Sequence, residues 1–382
     1  MNAKKMTIGV LVGLSAGCFS LLYFTDRQTP VSSHNSIVRE NCSNGQPAHK
    51  DLAKSSNLVL KKIAEYETVC SGAVVDQAMI FVGMPTTNED MSRSAASVVA
   101  TLKEFATVSI SPLVVFEPDA SSPTILRDIR SGKYDSQIDA FFLAIHDAGI
   151  TSQQMGTWVL FPEANTPSWH TTQPSDFVAN VSKVATIQKK YFPSSKSTLL
   201  LNSISYPDDD MSWSHGVKSS LDPYVADLPK GLIDSIGLQG FPHQSAANET
   251  PASSQLDPKD FLPAELINEA AKTLGVKMVW LNTGTFKSMY ANDPAARVSL
   301  TPSQRRTILT DIEDETKELR SYQYEVSVNI FAADKTQASE HVDWSYWSAG
   351  KADQSQDTTV IDTFIRQLRA DGVGFSLYDT AA

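Results

Sequence analysis

The feature that most constrains the fold is a repeated exchange between short, unbroken apolar runs and amphipathic helical periods. It spans roughly the last three hundred of the 382 residues. The runs fall at residues 78–83, 113–116, 158–161, 199–204, 232–238, 278–281, 326–331 and 374–377. Most are apolar throughout instead of alternating with polar residues, as expected of strands covered on both faces. Between them, Ile138, Phe141, Phe142 and Ile145 share one helical face, and Phe177, Val181, Val184 and Ile187 another. Leu266, Ala270 and Leu274 mark a further helix, and Val360, Ile361, Phe364 and Leu368 a last one. Residues 301–321 open with Thr301-Pro302, an N-cap followed by proline in the first turn. Strand–helix alternation of this length predicts a parallel α/β architecture. The chain has no GxGxxG or GxxxxGK[ST] fingerprint to favour a doubly wound nucleotide fold. The reading is therefore a (β/α)8 barrel of the TIM type, occupying 76–382.

The segments ahead of the barrel read differently. Lys4 and Lys5 precede an uncharged, largely apolar run, 6–24, that ends at Asp26 and Arg27. That run is just long enough to cross a bilayer as a helix. The lysines would stay on the cytoplasmic side and send the rest outward. Residues 1–27 are thus expected to be a signal-anchor or a cleaved signal peptide, with lipidation at Cys18 a third alternative. Residues 28–75 read as a tether and lead-in, with a short helix near 57–67. Export places Cys42 and Cys70 in an oxidising compartment as the one remaining pair, and a disulfide between them is expected, two separate thiols being the alternative. The expected location is extracytoplasmic, membrane-anchored or secreted. Gly13-Leu-Ser15-Ala-Gly17 matches the GxSxG elbow of serine hydrolases but lies inside the membrane run, where that chemistry has no place.

Net charge is −11, with a sequence pI near 5.1. Phosphate backbones call for a basic face, so nucleic acid is not an expected partner. No Cys/His spacing suggests a metal site and no motif calls for a cofactor; Asp208-Asp209-Asp210 reads as a solvated acidic loop more readily than as a calcium site. Asn41, Asn180 and Asn248 stand in Asn-x-Ser/Thr sequences that would accept glycans in a suitable host.

In a barrel of this kind the working residues project from the C-terminal ends of the strands. Those ends carry Glu117, Glu163 and Asn165, Ser205, Gln239, Asn282 and Asp334. Glycosidic cleavage needs an acid for the leaving oxygen, a second carboxylate, amides for sugar hydroxyls and aromatic platforms. Glu117, Glu163, Asn165, Gln239 and Asn282 are accordingly expected to share one cleft.

Gly132-Lys-Tyr-Asp135, then an amphipathic helix, then Trp158-Val-Leu-Phe-Pro-Glu163-Ala-Asn165-Thr-Pro-Ser-Trp169, resembles glycoside hydrolase family 26, the β-mannanases and related β-glucanases. That family carries a G-x-Y-D segment and then a strand ending in H-E-M-N-G-x-W. Val115-Phe-Glu117-Pro118 is similar to a W-E-P segment of some members, and Asp343-Trp344 to a late D-W. The resemblance implies an endo-β-glycanase, with Glu163 as general acid/base. It also implies substrate contacts at Asn165 and Trp169, to which Gln239, Asn282, Trp344 and Trp347 are added as candidates. Polysaccharide or oligosaccharide is the implied partner, and a monomer is expected.

Two departures weigh against full membership. Pro162 stands where the family has histidine. The family's nucleophilic glutamate lies three strands after the acid/base, and that count falls on Asn282 and Thr283, neither of them a carboxylate. Either Glu117 supplies the second carboxylate, or the chain is a catalytically inactive carbohydrate-binding or cell-surface barrel.

Overall fold

A computed structural model of the chain describes residues 57, 59–61, 63–64, 77–108, 110–118, 124–165, 173–205, 217–242, 257–289, 298–331, 334–335, 342–343 and 354–378. The apolar run at 6–24, Cys42, Cys70, Asp208, Asp209 and Asp210 lie outside them, as do Asn41, Asn248, Trp169, Trp344 and Trp347. Among the described residues, no helix is long and apolar enough to cross a membrane.

Eight parallel strands close into a barrel. In chain order they are β1 (Gln77–Gly83), β2 (Ser111–Glu117), β3 (Thr157–Leu160), β4 (Lys196–Asn202), β5 (Ser235–Gln239), β6 (Met278–Thr283), β7 (Glu325–Phe331) and β8 (Gly374–Tyr378). Each pairs with its neighbours in sequence, and β8 returns to β1. The register offsets accumulate to a stagger of eight residues on closing the circuit, the shear of a TIM-type barrel. All eight apolar runs of the sequence become these strands.

The helices are α1 (Asn88–Val108), α2 (Ile125–Arg130), α3 (Asp135–Asp147), α4 (Pro174–Tyr191), α5 (Asp222–Val225), α6 (Pro258–Phe261), α7 (Ala264–Leu274), α8 (Pro302–Ser321) and α9 (Gln354–Ala370). Thr301 caps α8 as its sequence predicts: its hydroxyl accepts from the Gln304 N–H, and the Gln304 side chain accepts from the Thr301 N–H. The long helix α1 was not legible in advance. Its buried stripe is only Ala95, Val98, Leu102 and Phe105, set among serines, threonines and charges. Leu60 and Ile63, in the lead-in segment, are buried in the same core as the barrel.

Strand alternation sorts the side chains into two layers. Phe116 of β2 and Trp158 of β3 face outward, where they meet Phe141 and Phe142 of α3 with ring centroids 5.2–6.2 Å apart. The Trp158 indole N–H donates to the Met155 carbonyl at 2.9 Å. Trp158 is thus a core residue, and truncating Phe141 beneath it would cost about 3–5 kcal/mol. The opposite parity points into the barrel. Trp280 of β6 fills that interior, its indole N–H donating to Thr198 Oγ1 at 2.8 Å. The ring lies directly over Gly237 of β5, where a Cβ would come within 2.3 Å of it. Only glycine leaves that space.

Two short additions grow from the C-terminal ends of the strands. Ile204–Ser205 pairs with Val217–Lys218 beyond β4. Ser288–Met289, Val298–Ser299, Asp334–Lys335 and Val342–Asp343 form a small antiparallel sheet from the segments that follow β6 and β7.

Candidate active site

Glu163 follows β3 by three residues and is 3 % exposed. Its N–H donates to the Leu200 carbonyl of β4 at 2.7 Å. Its backbone is left-handed, φ +56°, and so is that of Phe161, φ +53°, on the other side of Pro162. For residues with a Cβ this conformation costs roughly 1–3 kcal/mol each, and such strain gathers where function requires a particular presentation of a side chain.

Glu117 ends β2, the neighbouring strand, with interior parity, two residues beyond Val115 and in register with Gly83 of β1. The group is partly buried, and among the described residues no hydrogen bond or ion pair reaches its carboxyl. Burial therefore pushes its pKa up to about 7, because removing water penalises the charged form. A carboxyl with that affinity holds a proton for part of the time at neutral pH.

From β4, the strand beside β3, a chain of amides runs to β7. Asn202, Gln239, Asn282 and Asn329 are register partners on β4, β5, β6 and β7, so their side chains leave the same face of the sheet. Asn329 Nδ2 donates to Asn282 Oδ1, Asn282 Nδ2 to Gln239 Oε1, and Gln239 Nε2 to Asn202 Oδ1 at 2.9 Å. Buried amides survive in a core only when satisfied in this way. Asn282 is 1 % exposed, and both ends of its amide are engaged. The position three strands after Glu163 therefore holds a barrel-spanning tie.

Asn202 and Asn329 are not among the residues that the sequence pattern singles out. The apolar pattern carries the fourth strand on to Ile204 and so puts its working end at Ser205. In the structure the barrel strand stops at Asn202, and Ile204 belongs to the hairpin beyond it. The signal was a polar residue ending Leu199-Leu-Leu, overruled by the isoleucine two residues later.

Asn165, 7 % exposed, joins this network through the backbone of Asn202. The Asn202 N–H donates to its Oδ1, and its Nδ2 donates to the Asn202 carbonyl, both at 2.8 Å. Nδ2 also donates to Ser219 Oγ at 3.2 Å. The Gly132–Asp135 motif serves packing: Gly132 is left-handed at φ +89°, and Asp135 pairs with Lys183 of α4 at 2.8 Å. Asn180 is fully buried in α4 and donates to the Leu126 carbonyl at 2.7 Å, which leaves a glycan no access to it. Among the described residues, no group of three His, Cys, Asp or Glu is placed to hold a metal ion. A cavity of about 330 Å³ lies between α5 and α7, lined by Ser219, Leu221, Asp222, Leu266 and Glu269 among others. It contains none of the candidate residues.

No family model matches the sequence, and no curated protein matches it. Solved structures do. A family 1 β-glucosidase from Thermotoga maritima superposes with a TM-score of 0.50 at 8 % identity, covering 85 % of this chain and 92 % of that one. A family 26 β-mannanase from Bacteroides ovatus gives 0.49 at 12 % identity, covering 81 % and 83 %. A fungal β-1,4-galactanase gives 0.48 at 14 %, covering 79 % and 91 %. Likeness at such identities speaks for the fold, and only the first score is high enough to bear on it. At 8 % identity the likeness to the β-glucosidase shows a fold and no family.

Proposed function

We propose that the chain is a glycoside-hydrolase-like barrel that acts on, or binds, extracellular β-linked polysaccharide, held outside the cytoplasm by its N-terminal segment. The observation that carries this reading is Glu163, a buried carboxylate on a strained left-handed backbone at the C-terminal end of a barrel strand. Barrel enzymes place their chemistry at that end, and a chain keeps backbone strain where it has a use for it. Glu163 is the general acid/base of the proposal, and Glu117, on the adjacent strand, is its second carboxyl. Burial raises the Glu117 pKa to about 7, so this group ionises only as the pH approaches neutrality. Donation of a proton by Glu163 to the glycosidic oxygen, with the ionised Glu117 supporting the developing positive charge, is the step proposed for the two carboxyls. The matched β-glucosidase, β-mannanase and β-1,4-galactanase are named for β-linked substrates, which agrees with the substrate class.

A second reading, a binding barrel without turnover, is favoured by Asn282. It occupies the place the family resemblance reserves for the nucleophile, and its amide makes a hydrogen bond at each end within the ladder. A screen of mannan, mixed-linkage glucan and galactan decides between the two. Turnover at about 1 s⁻¹ or faster, abolished in Glu163→Gln and in Glu117→Gln with the fold intact, supports the hydrolase. Oligosaccharide binding without turnover, unchanged by Glu163→Gln, supports the binding barrel. Neither binding nor turnover on any of these glycans refutes both.

A further inference from the structure

We infer that Asn165 is a positioning residue for Glu163: its side-chain amide continues the β3–β4 ladder in place of the main chain and so holds the Glu163 backbone in its left-handed turn. The inference rests on the reading of Glu163 as the carboxylate of the site. In a parallel ladder, a residue whose N–H reaches one carbonyl of the neighbouring strand offers its own carbonyl to the N–H two residues further along. Glu163 makes the first of these bonds, to the Leu200 carbonyl. A regular strand would then pair the Glu163 carbonyl with the Asn202 N–H, and the residue 165 N–H with the Asn202 carbonyl. Both places are taken by the Asn165 side chain. Its Oδ1 receives the Asn202 N–H, and its Nδ2 donates to the Asn202 carbonyl. The amide of asparagine carries the same donor and acceptor as a peptide unit, so the edge of β4 stays satisfied although the main chain has left it. That exchange permits Phe161, Pro162 and Glu163 to turn through two left-handed residues without stranding polar groups on β4.

The same contacts move Asn165 away from the substrate-binding role that the family resemblance implied. Both hydrogens of its Nδ2 are spent, on Asn202 and on Ser219, leaving no donor for a sugar hydroxyl.

The test is a thermal-unfolding cycle of the full chain with Asn165→Ala, Glu163→Gly and the two combined. Glycine adopts positive φ freely, so Glu163→Gly relieves the strain of the turn, and Asn165→Ala lowers Tm. If Asn165 holds the strained turn, its loss lowers Tm by less than half as much once residue 163 is glycine. Equal losses in the two backgrounds overturn the inference. If Asn165→Ala does not fold, Asn165→Asp takes its place in the cycle. It keeps the acceptor for the Asn202 N–H, and recovers a donor toward the Asn202 carbonyl only when protonated. Its Tm deficit should therefore shrink as pH falls through the carboxylate range, and a pH-independent deficit overturns the pairing. On any glycan the wild type hydrolyses, Asn165→Asp lowers kcat tenfold or more with KM within about twofold; a raised KM at unchanged kcat restores the substrate-contact role. If no glycan is hydrolysed, the hydrolase reading fails, while the unfolding cycle still decides the role of Asn165.

Discussion

Replacing Glu117 by glutamine tests the electrostatics of the site without any substrate. In the folded chain the carboxyl has a pKa of about 7 against an ordinary 4.5, with burial as the cause. Between those two pH values the native state holds a proton that the unfolded chain has released. Stability therefore falls as pH rises through the window, is unaffected below it, and is flat above about pH 7. At about 1.4 kcal/mol for each pKa unit, the full loss comes to ~3 kcal/mol. That figure is an upper value, because Glu117 keeps some contact with solvent. Glutamine preserves the shape and carries no charge, so the slope attached to this group disappears. Urea unfolding followed by tryptophan fluorescence at pH 4.5 and pH 8 reads the difference, since every other titrating group cancels between the two proteins. The variant should match the wild type within about 0.5 kcal/mol at pH 4.5 and exceed it by up to ~3 kcal/mol at pH 8. Parallel pH profiles for the two proteins would refute the burial argument.

Three further outcomes follow from the interior and the helices. Asn282→Glu, which the family pattern suggests as a way to restore a nucleophile, instead breaks a satisfied amide chain and buries a longer, charged group; unfolding should show a loss of about 3–5 kcal/mol and assays no gain of glycosidase activity. Gly237→Ala drives a methyl into the Trp280 ring, costing about 1–3 kcal/mol or more and shifting the tryptophan emission of the folded state; an unchanged spectrum and stability would contradict the packing. Expressed in a host that attaches N-linked glycans, the chain should carry none at Asn180, and glycopeptide mapping that finds one there would mean that α4 does not dock as described.

The sequence by itself determined the barrel. Eight apolar runs, each long enough for a strand and covered on both faces, leave few ways to bury themselves, and Phe141 and Phe142 lie on the helical face that the structure packs against Phe116 and Trp158. It also fixed Glu117 and Glu163 near the C-terminal ends of their strands, because an end is simply where the apolar run stops. What it could not determine was the state of the polar residues at those ends. An asparagine after an apolar run reads the same whether it faces a sugar or another amide. Asn165 and Asn282 are tied into the barrel by partners 37 and 43–47 residues away, contacts that exist only once β3 to β7 stand side by side. The raised pKa of Glu117 has the same origin, since burial is a property of the neighbours that closure brings and leaves no mark on the residue itself. The left-handed turn at Glu163 is likewise unwritten in Phe-Pro-Glu: a local preference against it is overridden by hydrogen bonds to Leu200 and Asn202 on another strand. Local pattern chose the fold because hydrophobic burial is read residue by residue; the site was left to tertiary structure because hydrogen-bond partners and dielectric environment are not.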